Sequence, residues 1–170
     1  MAPSSAAFVG IPNPTAGGRP QTGHFAKDQP VAKAEFSTAA IDPATEELFR
    51  PLRRELGVES LGINQITLQP GQRMRVHVHE HQDEVYLVLA GTLTLIVEGE
   101  EHALGTGTLA RVGPRTRRQI GNRGEKPAVL LVVGAAGEHV SRDARAWGSW
   151  DEEGEGRDPR EVPLPPDFED

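Results

Sequence analysis

The stretch Gly71-Gln72-Arg73-Met74-Arg75-Val76-His77-Val78-His79-Glu80-His81-Gln82-Asp83-Glu84-Val85-Tyr86-Leu87-Val88-Leu89-Ala90-Gly91 decides the reading of this chain. Residues two apart on a strand share a face, so His77 and His79 point one way and Val76 and Val78 the other. Glu84 opens the following strand after a short turn, within reach of both imidazoles. Two imidazoles and a carboxylate form a donor set suited to divalent Fe, Mn, Ni, Cu or Zn. Taken alone, a His-x-His pair is more often two surface histidines on a polar strand face.

On both sides of this stretch, short runs rich in Val, Ile, Leu and Thr recur between Gly or Gly-Pro breaks. They predict strands near 61–69, 73–79, 84–90, 92–98, 108–112, 117–121 and 127–134. Many short strands at near-regular spacing mean an antiparallel sandwich or barrel. Upstream, Asp42-Pro43 followed by Glu46 and Glu47 reads as a helix start, with the helix short or broken at Pro51. Residues 1–30 hold five Pro and four Gly with no hydrophobic period, and read as a disordered or draped arm. Residues 31–150 read as the folded domain with flanking segments, with Trp147 and Trp150 pinning the chain to the barrel.

Charge and composition exclude several functions. Residues 151–170 carry a net charge of −7, and residues 1–150 balance 16 acids with 16 bases. A neutral body argues against binding a phosphate backbone, so no nucleic-acid partner is expected. The acidic tail reads as a solubility device. Cysteine is absent, which removes disulfides, thiol nucleophiles and Cys-ligated clusters. No run approaches the ~20 apolar residues of a membrane span, and the start Met1–Gly10 lacks a basic region and an apolar core. The expected setting is cytoplasmic, without a membrane.

The spacing G-x5-H-x-H-x4-E-x6-G over residues 71–91 resembles the first motif of the cupin family. The resemblance implies an all-β cupin-type jelly-roll barrel with N- and C-terminal extensions, and a metal held inside by His77, His79 and Glu84. It does not imply one reaction, because a fold hosts many chemistries. The second cupin motif is degenerate. Gly107 and Asn122 fit its ends, but Thr108 replaces the Asp, Gly113 the Pro and Arg115 the Gly, while Pro114 keeps a proline one place later. Arg118 stands where the family has its last histidine ligand, and a guanidinium cannot ligate a metal.

Three readings of Arg118 stay open. The metal is held by His77, His79 and Glu84 alone; or Arg118 pairs with Glu84 and no metal binds; or Arg118 binds an anionic substrate oxygen near the metal. His81 is the nearest replacement ligand by parity, and its loop position suits a rim role better; His24, His102 and His139 are not expected to ligate. Parity with His77 brings Arg75 to the barrel mouth as a substrate contact, and parity with Glu84 brings Tyr86 into the pocket. Tyr86 and Arg118 are the candidate catalytic residues, and Arg75 and Arg118 the candidate substrate-binding residues. Arg111, Arg115, Arg117, Arg118 and Arg123 form either a solvated outer face or an anion-favouring mouth.

A metal-dependent enzyme of oxygenase, isomerase or cyclase type, acting on a small and possibly anionic organic molecule, is favoured. The alternative is a metal-free ligand-binding or regulatory protein. A homodimer is expected, both from the need to cover sheet edges and from the resemblance.

Overall fold

A computed structural model describes residues 36–135 and 143–169. The readings made of residues 1–30, His24 and His139 lie outside the described residues. The elements are β1 (Phe49–Pro51), α1 (Leu52–Leu56), β2 (Gly62–Leu68), β3 (Val76–His79), β4 (Asp83–Ala90), β5 (Thr92–Val97), β6 (Glu100–Gly105), β7 (Leu109–Val112), β8 (Arg118–Gly121), β9 (Ala128–Ala135) and β10 (Ala144–Trp147). They form two five-stranded antiparallel sheets, ordered β1-β2-β9-β4-β7 and β10-β3-β8-β5-β6. This is the expected all-β jelly roll, and each of the seven expected strands is present. Among the described residues no helix is long and apolar enough to cross a membrane.

The side-chain alternation builds the core. Tyr86 and Val88 of β4, Leu93 and Leu95 of β5, Ile120 of β8 and Leu130 and Val132 of β9 meet between the sheets, each at most 3% exposed. On β3 the alternation is used on both faces. Val76 and Val78 face outward, where Trp147 and Trp150 cover them. His77 and His79 therefore face inward.

The two tryptophans are held by their polar ends. Trp147 Nε1 donates to the Gly154 carbonyl at 3.1 Å and Trp150 Nε1 to Gln119 Oε1 at 3.0 Å. The Arg117 guanidinium lies over both rings, 4.5 and 5.5 Å from their centres. This is the anchoring expected of the chain's only two tryptophans.

The helix differs from expectation. Asp42 does cap, but its Oδ1 accepts the Ala44 amide at 3.0 Å in a local turn, and the chain then runs into β1. The only helix among the described residues follows Pro51, spans five residues and ends at Gly57 in the left-handed conformation. Proline lacks a backbone N–H and fixes φ, so Pro51 is tolerated before a helix and not inside one. Strands β1, β6 and β10 were not expected. Residues Glu100–Gly105 are exposed at five of six positions and pair with β5 as an edge strand.

Candidate metal centre

Register places the three candidate ligands together. β3 carries His77 and His79, and β4 of the opposite sheet carries Glu84 and Tyr86. His77 Nε2 lies 3.6 Å from Glu84 Oε2, and His79 Nε2 lies 3.4 Å from Glu84 Oε1. The rings meet edge to face at 5.4 Å. One donor atom from each of the three residues falls within 4.8 Å of the others. Such a convergence of borderline nitrogens and a hard oxygen fits a divalent transition metal.

The outer nitrogen of each ring meets a polar partner, and the inner ones face Glu84. His77 Nδ1 lies 3.1 Å from the Arg75 carbonyl and donates to it. His79 Nδ1 faces Asp143 Oδ2 at 3.7 Å, with the Gln82 amide nitrogen at 3.3 Å. Asp143 is 6% exposed. It accepts from His81 Nδ1 at 2.8 Å and from the backbone amides of His81 and Gln82 at 3.1 Å each. Burial would raise the Asp143 carboxyl, but these hydrogen bonds and the nearby His79 hold it lower than usual. A carboxylate behind a ligating histidine fixes the ring and its tautomer. Neither Asp143 nor Gln82 was found from the sequence: Asp143 lies 64 positions beyond His79 on another strand's approach, outside any motif spacing. His81 holds Asp143 at the rim and is not one of the converging ligands.

Glu84 is the hub of the buried polar cluster. The Tyr86 hydroxyl donates to its Oε2, and Arg118 Nε lies 3.5 Å from the same oxygen. Burial pushes the Glu84 carboxyl up, but the hydrogen bonds and charges of His77 and His79 outweigh it and hold it well below the usual range. Tyr86 is pushed well above its ordinary value, first by burial and then by the Glu84 charge, so it keeps its proton. Arg118 pairs in register with His77 and is fully buried. Its Nη1 donates to the Thr116 carbonyl at 2.8 Å, while Nε and Nη2 make no hydrogen bond of good geometry.

A cavity of about 310 Å³ opens over these groups. His77, His79, Glu84, Tyr86, Arg75 and Gln82 contribute its polar wall, and Phe49, Ile66, Met74 and Ile120 part of its apolar wall. Arg118 does not line it; its guanidinium approaches Glu84 from behind the wall. Arg75 does line it. Its Nε donates to the Val162 carbonyl, and among the described residues no carboxylate pairs with it. Burial lowers its pKa.

The other arginines of the cluster disperse: Arg111 pairs with Asp83 at 2.5 Å and Arg123 with Glu101 at 3.0 Å, while Arg117 covers the tryptophans. Arg111 and Arg123 match the expected solvated charge paired with local acids, whereas Arg117 and Arg118 are held inward.

A double-sheeted jelly roll that presents two imidazoles and a carboxylate to a cavity defines a class of small barrels whose donor groups could hold a metal. Residues 64–134 match the model of the cupin domain, and solved cupin proteins share the fold. The chain is similar to the mannose-1-phosphate guanylyltransferase ManC of Salmonella typhimurium, 27% identical over 100 residues, which are 57% of this chain and 21% of that protein. The chain thus spans about a fifth of the length of that relative. It is similar to the tetracenomycin polyketide synthase protein TcmJ of Streptomyces glaucescens, 28% identical over 64% of this chain and 75% of that one. Among solved structures, a sugar phosphate isomerase of the cupin superfamily from Silicibacter pomeroyi is 31% identical with a TM-score of 0.50, covering 58% of this chain and 64% of that one.

Proposed function

We propose that the chain is a metal-dependent enzyme for a small, anionic, hydroxyl-rich substrate, of the sugar phosphate isomerase class. The observation that carries this reading is the pairing, on one cavity, of the His77-His79-Glu84 donor set with Arg75, a guanidinium that no carboxylate among the described residues neutralises. A partly buried arginine left unpaired is a ready partner for phosphate or carboxylate. The similarity to a sugar phosphate isomerase and to a mannose-1-phosphate guanylyltransferase supports the substrate class.

His77, His79 and Glu84 would hold a divalent metal, which supplies Lewis-acid polarisation of a substrate carbonyl or hydroxyl. The chain's own groups do the rest. Arg75 binds and orients the anionic end. Tyr86 holds a proton at its hydroxyl and shares it with Glu84 Oε2, which makes it the proton carrier on the cavity wall. The apolar wall excludes bulk water. Arg118 acts behind the wall by holding Glu84. The test is turnover of a panel of sugar phosphates by the metal-loaded chain. Arg75→Ala is expected to raise KM by about tenfold or more, the loss of a charge-assisted contact, with a smaller change in kcat. No turnover by the wild type across the panel would defeat the isomerase reading.

One observation favours a second reading, a metal-free ligand-binding protein. Arg118 Nε, 3.5 Å from Glu84, offers that carboxylate a cation without any metal.

A further inference from the structure

The reading of Arg75 as an anion anchor leads to what fixes its direction. Its Nε donates to the carbonyl of Val162, 87 residues downstream. A backbone carbonyl orients a guanidinium without neutralising it. The charge, and the Nη edge that could grip two oxygens at once, stay available to a ligand. We propose that residues 157–169 form a strap that positions Arg75 and walls the cavity, so that the acidic C-terminal segment is a working part of the anion site. This inference rests on the anion reading of Arg75 given above.

The strap is built in and fastened at both ends. Arg157 and Ala146 exchange reciprocal backbone hydrogen bonds of 2.9 Å at its start. Pro159 lines the cavity, and Val162 is fully buried. At its far end the Pro166 carbonyl accepts Arg73 Nε at 2.7 Å, and the Phe168 amide donates to the Gly71 carbonyl at 2.8 Å. The Phe168 ring lies 3.7 Å from the Arg123 guanidinium and 5.0 Å from that of Arg73, measured to the ring centre. Gly121 makes room for it: a Cβ there would stand 2.5 Å from the ring. Arg73 and Arg75, alternate residues before β3, are thus both satisfied by strap carbonyls. Holding Arg75 in one direction before a ligand arrives removes an ordering cost from binding.

The experiment is a mutant cycle on the full chain, titrated calorimetrically with inorganic phosphate, together with Mn(II) affinity measured separately. Phe168→Ala loosens the strap without touching the cavity. It is expected to weaken phosphate binding by about tenfold, as for a misaligned charge-assisted contact, with Mn(II) affinity unchanged and Phe168→Tyr restoring the wild-type value. In the Arg75→Ala background, Phe168→Ala is expected to add nothing, because the strap acts through Arg75. Full additivity, or wild-type phosphate affinity in Phe168→Ala, would overturn the strap while leaving the anion site intact. Unchanged phosphate affinity in Arg75→Ala would overturn the anion reading itself. Hydrogen exchange of the wild type does not depend on any variant folding: phosphate is expected to slow exchange of the Phe168 amide relative to chloride, and equal rates would count against the strap.

Discussion

Glu84 concentrates the chemistry of the site at one side chain. Its Oε2 accepts from Tyr86 and lies 3.5 Å from Arg118 Nε, while Oε1 faces His79. Its folded pKa is depressed, so its contribution to stability is fully present above its unfolded value near 4.5 and is lost as pH falls through the lower folded value. The metal-free wild type should therefore lose thermal stability below about pH 4.5 more steeply than Glu84→Gln. Parallel melting-temperature profiles would contradict the coupling to His77 and His79. Asp143, behind His79, is an outer partner of the donor set. Asp143→Asn should weaken Mn(II) binding by about 10- to 100-fold, with the fold retained by circular dichroism. Arg118→His should tighten it by adding a third imidazole, and so a fourth ligand, where the guanidinium stands. At this scale the ligands were legible, because His77, His79 and Glu84 obey strand parity and fixed spacing. Asp143 was not, since only tertiary packing brings it to His79. The place of Arg118 behind the wall was also hidden, because parity tells which face a side chain takes and not how far it reaches.

Strands with alternating apolar residues and Gly breaks were legible, and elements defined by their neighbours were not. β6 has almost no buried side chain and exists because Glu98 and Gly99, both at positive φ, turn the chain back along β5. The Asp42-Pro43 signal failed as a helix start because the residues after it are recruited to pair with β2. Two turn positions carry predictions. Gly91 has φ of +73°, and a Cβ there would stand 2.3 Å from the Pro127 carbonyl oxygen. Gly91→Ala should cost about 2 kcal/mol or more in chemical denaturation, from backbone strain and the clash together. Arg115, where the cupin motif has glycine, adopts φ of +59°. Arg115→Gly should relieve left-handed strain and stabilise the barrel by up to about 1 kcal/mol.

Across the whole molecule, the two sheets leave β7 and β6 at one side and β1 and β10 at the other. Leu109 on β7 is 66% exposed. We propose that an edge of this kind is covered in a homodimer, and light scattering should return twice the 18.4 kDa of one chain. The acidity of the C-terminal segment hid its role at this scale. Nine acids in 20 residues read as solvation, yet Val162 and Phe168 tie that segment to the barrel. We propose that the barrel holds a divalent metal through His77, His79 and Glu84. The most direct measurement is calorimetric titration of the untagged, chelator-treated chain with Mn(II), Fe(II), Ni(II) and Zn(II), beside His77→Ala. One tightly bound ion per chain is expected in the wild type, with a loss of more than about 100-fold in affinity in the variant, beyond what removing an outer partner costs. Absence of binding at millimolar metal, or equal affinity in wild type and His77→Ala, would contradict it.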